Sequence, residues 1–110
     1  FYTLFEVKDA EIEATLEREL EGERLIVVSH TPPKDTRVDL TRFGLHVGSL
    51  SLRRFIEGKK PLCVVCGHIH EARGVDSIGS TVLVNPGPAR DGYCAIIEIN
   101  GEVDVNLDRL

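Results

Sequence analysis

The sequence predicts an α/β fold, a mixed β-sheet with flanking helices, on three observations. Two β-branched apolar runs, Leu25-Ile26-Val27-Val28 and Leu62-Cys63-Val64-Val65-Cys66, are separated by a segment of helical periodicity. Past Gly74 the pattern changes to short strands, with Gly79-Ser80 and Asn100-Gly101 as hairpin-turn signals. Near the start, Ala10, Ile12, Ala14, Leu16 and Leu20 recur among acidic residues at a spacing compatible with a surface helix.

Taken in order, residues 9–21 form that helix, with Asp9 as N-cap and Gly22 as its stop. The strand over 25–28 ends in Ser29-His30-Thr31-Pro32-Pro33 and opens a polar loop to about residue 46, long enough to suggest a functional role. Ser49 caps a helix running to about residue 57, with Leu52, Phe55 and Ile56 on one side, and Gly58 is expected to end it. The strand over 62–66 follows, making a crossover unit if the two strands pair in parallel. Shorter strands are expected over 75–78, 81–84, 93–99 and 103–107.

A chain of 110 residues with 42% hydrophobic content suits one small domain and has no tract long enough to span a membrane. It begins at Phe1 without an initiator methionine and is therefore expected to be a piece of something longer. The formal net charge of -5 argues against nucleic-acid binding, which favours a clustered basic face; Arg53, Arg54, Lys59 and Lys60 read as a solvated helix surface. Anionic substrates are still admitted if a bound metal brings positive charge locally. Three cysteines, Cys63, Cys66 and Cys94, fit reduced, buried thiols and a cytoplasmic location. Cys63 and Cys66 have the spacing of a zinc knuckle, but the β-branched Val64-Val65 between them favours a strand, which sends the two sulfurs to opposite faces.

The densest chemistry is Gly67-His68-Ile69-His70, where an extended His-x-His pair would project both imidazoles to the same side. With His30, three of the four histidines stand at the C-terminal ends of strands, where open α/β sheets keep their sites. Neutral imidazoles are common metal ligands, so His30, His68 and His70 form a candidate metal set. His46 lacks that context and is a candidate substrate contact only. Asn85-Pro86-Gly87-Pro88 reads first as a tight turn, with Asn85 as a second candidate for substrate binding. Arg73 and Arg90 read as surface ion pairs or phosphate contacts.

Together, Val28-Ser29-His30-Thr31-Pro32-Pro33, Cys66-Gly67-His68-Ile69-His70-Glu71 and Val84-Asn85-Pro86-Gly87 resemble the C-terminal motifs of calcineurin-like metallophosphoesterases, over about residues 25–99. The resemblance implies half of an αββα sandwich and a dinuclear centre of two divalent ions, drawn from Mn, Fe, Zn or Ni, that hydrolyses phosphomonoesters or phosphodiesters. It implies that His30 and His68 ligate one ion and His70 the other. The family's first-half motifs, Asp-x-His, Gly-Asp-x-x-Asp and Asn-His-Glu or Asn-His-Asp, do not occur here.

Residues 1–110 therefore read as the C-terminal part of a single domain whose N-terminal motif half is absent. The resemblance places the leaving-group histidine in that half, so no catalytic acid is assigned to this chain. Three neutral histidines bring no anionic charge, and the chain alone is expected to hold one ion or none and to be inactive. The expected partners are a phosphate ester and either the N-terminal half or a second copy. A second copy or the missing half would cover a sheet face carrying Val27, Val64, Val82, Val84 and Ile97. Two alternatives remain beside this reading: a non-catalytic scaffold or assembly protein of the same fold, and a mononuclear zinc site of His30, His68, His70 and water.

Overall fold

The two β-branched runs pair as adjacent parallel strands at the centre of a five-stranded sheet. The computed structural model describes residues 3–7 and 25–110, so the helix expected over residues 9–21 lies outside the described residues. The elements are β1 (Thr3–Val7), β2 (Leu25–Ser29), α1 (Leu50–Lys59), β3 (Cys63–Cys66), β4 (Gly74–Ile78), β5 (Thr81–Asn85), β6 (Tyr93–Asn100) and β7 (Glu102–Arg109). The sheet runs β1-β2-β3-β5-β4. All neighbours are parallel except β4, which returns antiparallel against β5 after the turn at Gly79-Ser80. β6 and β7 form a separate antiparallel hairpin about Gly101, in register from Tyr93 opposite Arg109 to Asn100 opposite Glu102. This is the mixed sheet anticipated from the sequence, enlarged by β1, which the sequence reading did not assign.

Register decides what is buried. Val27, Val64 and Leu83 stand side by side across β2, β3 and β5, so their side chains share one face. On that face they pack with Leu52, Phe55 and Ile56 of α1 and with Val38 from the loop. The helix offers positions 52, 55 and 56, the i, i+3, i+4 stripe that a core-facing helix needs. Each large aliphatic or aromatic side chain so buried contributes about 1.5–3 kcal/mol.

The opposite face holds Ile26, Val28, Val65 and Val82, all half-buried, beside the fully buried Cys63 and Val84. Val27 and Val64 therefore do not belong to an uncovered face: α1 and Val38 cover them within this chain. Cys63 and Cys66 do lie on opposite faces, and all three cysteines are free. Burial raises the Cys63 thiol to about 11 and the Cys66 thiol to about 12, so neither is a thiolate near neutral pH.

Ser49 begins α1 as expected, its hydroxyl accepting from the Leu52 N–H at 3.0 Å. The end differs. Gly58 lies inside the helix, which runs on until Lys60 turns left-handed at φ 53° and donates its N–H to Ile56 O at 2.9 Å. Pro61 supplies the reason: it cannot continue the helix and it disfavours the α conformation at the residue before it.

Candidate functional site

Because β2, β3 and β5 are parallel, their C-terminal ends lie along one edge of the sheet. The Gly67 N–H donates to His30 O at 3.3 Å, tying the segment after β3 to the segment after β2. Asn85, buried at the end of β5, donates its side-chain amide to Ile69 O at 2.8 Å and accepts from the Gly87 N–H at 3.1 Å. It is thus the pin that joins the histidine loop to the Pro-Gly turn, and both ends of its amide serve backbone groups.

The histidine loop is not extended. His68 has a left-handed backbone, φ 66°, which a non-glycine residue adopts only at some cost. The Ile69 N–H then bonds Gly67 O at 2.8 Å, Ile69 is buried, and a single 3-10 turn covers His70–Ala72. The side-by-side His-x-His geometry read from the sequence is replaced by a turn that sends the two rings to different neighbours.

His68 meets His30. Their nearest ring nitrogens, His68 Nδ1 and His30 Nε2, are 3.0 Å apart, with ring centroids at 4.8 Å and planes inclined by 59°. His70 Nδ1 instead lies 3.4 Å from Nη2 of Arg90. A guanidinium only donates, so a bond there makes His70 Nδ1 the acceptor and leaves the ring proton on Nε2. Among the described residues no three His, Cys, Asp or Glu side chains gather as a ligand group.

The donor set of the pair fits a divalent ion as two adjacent ligands. Nitrogens each about 2.0–2.1 Å from one ion stand about 2.8–3.4 Å apart at octahedral to tetrahedral angles. The observed 3.0 Å falls in that interval. A proton shared between the rings produces the same separation, so the gap suits either occupant. Both histidines are exposed, which keeps the position open to further ligands.

His46 is not part of this pair. Its Nδ1 lies 2.6 Å from Oδ1 of Asp39, a fully buried carboxylate. Asp39 also accepts the backbone N–H groups of Asp35, Thr36 and Gly48 at 2.9–3.0 Å. Burial pushes this carboxyl up, but the hydrogen bonds from His46, Thr36, Gly48 and Asp35 outweigh it and hold it below the ordinary range. The same bond raises His46. Asp39 thereby folds the long loop between β2 and α1 around itself, a role the sequence analysis missed. The signal was the Thr36-x-x-Asp39 spacing, which resembles a capping box in a segment with no long helix to cap.

Arg73 is also structural in part. It donates from Nε to Pro86 O and from Nη2 to Asp108 O, each at 3.1 Å, and its guanidinium lies 4.5 Å from the Tyr93 ring centre. This links the Pro-Gly turn to the hairpin.

Comparison with known proteins identifies the family and the fold. Residues 3–110 match the family described as metallophosphoesterase, calcineurin superfamily. Over 68 residues the chain is 44% identical to an uncharacterized protein of Methanocaldococcus jannaschii, a stretch that covers 58% of this chain and 31% of that protein. One crystal structure superimposes with a TM-score of 0.72 at 28% identity, covering 91% of this chain and 38% of the other. The crystal structure of a Thermus thermophilus protein gives 0.56 at 17% identity, covering 91% and 40%, a likeness of fold alone. The chain thus spans 31–40% of the length of these relatives.

Proposed function

This chain belongs to the metallophosphoesterases of the calcineurin superfamily, and from that premise we propose that it carries the C-terminal, histidine-bearing half of a phosphate-ester-hydrolysing site. His30 and His68 hold one divalent ion, drawn from Mn, Fe, Zn or Ni, and His70 belongs to a second, which its Nδ1 meets once it gives up the 3.4 Å contact with Arg90. The observation that carries this reading is the 3.0 Å approach of His30 Nε2 and His68 Nδ1 at the C-terminal edge of a parallel sheet. The family generally uses divalent metals. Such ions supply Lewis acidity and neutralise charge on the phosphoryl oxygens.

The chain's own groups do the positioning. The left-handed turn at His68 and the Asn85 pin hold the ring of His68 against His30. Arg90, 3.4 Å from His70, brings a permanent guanidinium charge whose planar fork matches phosphate oxygens. Nothing among the described residues places a carboxylate with the histidine pair. The active form accordingly draws the bridging carboxylate and the leaving-group acid from an N-terminal half, on the same polypeptide or a separate chain.

The test is hydrolysis of p-nitrophenyl phosphate and its bis-ester by the 110-residue chain with Mn or Ni added. Little or no turnover is expected. Robust turnover that disappears in His68→Ala would contradict the half-site account and favour a self-contained centre.

A further inference from the structure

One residue past His70 the surface opens into a cavity of about 320 Å³, lined on one side by Glu71, Ala72, Arg73 and Gly74 and on the other by the loop carrying Arg37 and Arg42. Its charge is unlike that of the whole chain. Three arginines face one carboxylate, in a protein whose formal net charge is -5. The volume is at the small end for a ligand site, suited to one group of a ligand rather than the whole of a large one.

The three arginines are not equivalent. Arg73 is fixed by its bonds to Pro86 O and Asp108 O and serves as a charged wall. Arg42 Nε lies 3.7 Å from Glu71 Oε2, a long contact with Arg42 72% exposed that is worth little and leaves the guanidinium free to turn to a better acceptor, while the same oxygen is held by the Arg42 backbone N–H at 3.2 Å. Arg37 uses its backbone N–H to hold Asp76 at 2.8 Å, while its guanidinium has no hydrogen-bond partner among the described residues. That bond and the Asp39 network fix the backbone of the loop from which both exposed guanidinium groups extend.

We propose that this cavity is an anion subsite that takes a non-scissile phosphate of the substrate through Arg37 and Arg42. The substrate class is then a compound with two separate phosphate groups, one at the histidines and one here. The assignment of the anion to the substrate rests on the phosphoesterase reading; the existence of the subsite does not.

The experiment is a ¹H–¹⁵N NMR titration of the 110-residue chain, metal-free with inorganic phosphate and, separately, zinc-loaded with a nucleoside 3′,5′-bisphosphate. Phosphate is expected to shift the amides of Thr41, Arg42, Ala72 and Gly74 saturably, with affinity at least fivefold weaker in an Arg37→Gln/Arg42→Gln variant. Both side chains are exposed, so the variant is expected to keep the wild-type amide pattern elsewhere. The bisphosphate is expected to shift the cavity amides and those of His68 and His70 with one midpoint. Phosphate shifts confined to the histidine loop, or equal affinity in the double variant, would overturn the subsite. A bisphosphate that moves the cavity amides alone would overturn its assignment to the substrate. Failure of phosphoester hydrolysis in a longer protein would refute the reading of the histidines and leave the phosphate titration unchanged.

Discussion

Asp39 shows how much one buried carboxylate organises in a loop without regular structure. Four donors converge on it, three of them backbone N–H groups. Asp39→Ala leaves those donors without their acceptor and is expected to destabilise the chain by about 3 kcal/mol or more, read as a lowered urea midpoint. A change under about 1 kcal/mol would mean that water replaces the carboxylate freely. The pair also sets a pH dependence. Asp39 is lowered on folding, so its contribution is present above the ordinary carboxylate value and is lost as pH falls through the lowered one. His46 is raised by its bond to Asp39, so its contribution is present below the ordinary histidine value of 6.5 and is lost as pH rises through the raised one. Between those limits the pair stabilises most. Thermal melts across pH 5–9 are expected to fall on the alkaline side in the wild type and to lose that limb in His46→Gln.

At the scale of elements, glycines separate packing from backbone demand. Gly58 sits in α1 with open space where a Cβ would stand, so Gly58→Ala is expected to stabilise the chain by about 0.5–1 kcal/mol. At Gly48 an added Cβ would stand 2.5 Å from Pro32 O and 2.8 Å from Pro33 C, both backbone atoms. Gly48→Ala must push apart the segments joined by the bonds from Ser49 N–H to Pro32 O and Lys34 N–H to Ser49 O, and is expected to cost about 1–3 kcal/mol. Chemical denaturation of both variants checks the pair of signs. The same contrast explains what was legible in the sequence. Strands β2 to β7 and helix α1 were marked by periodicity, by the turn signals Gly79-Ser80 and Asn100-Gly101, and by Ser49, which are local signals. The end of α1 was misread because Gly58 looked like a stop, whereas Pro61 acts through the residue before it. The turn after Gly67 was not legible, since a left-handed His68 has no signature beyond a residue type that tolerates it.

For the whole molecule, the sheet has one face sealed by α1 and another on which Ile26, Val28, Val65 and Val82 are only half-buried. We propose that this second face receives the N-terminal half of the domain or a second copy, which would complete the burial of those four side chains. Light scattering on the freshly purified chain is expected to show association at tens of micromolar; a stable, cooperatively folding monomer would contradict this. The site was legible to the extent that its histidines were: strand ends and the Gly-His-x-His motif pointed to His30 and His68. Their nitrogen-to-nitrogen approach depends on the Gly67–His30 bond and the Asn85 pin, which act across strands and leave no trace in local pattern. We propose that these two rings share one divalent ion. The most direct test is a zinc titration of the 110-residue chain followed by long-range ¹H–¹⁵N correlations of the imidazole nitrogens. His30 Nε2 and His68 Nδ1 are expected to move together at one midpoint, with binding at least tenfold weaker in either His30→Ala or His68→Ala. Zinc that shifts neither nitrogen, or binds both variants as tightly as the wild type, would contradict that proposal.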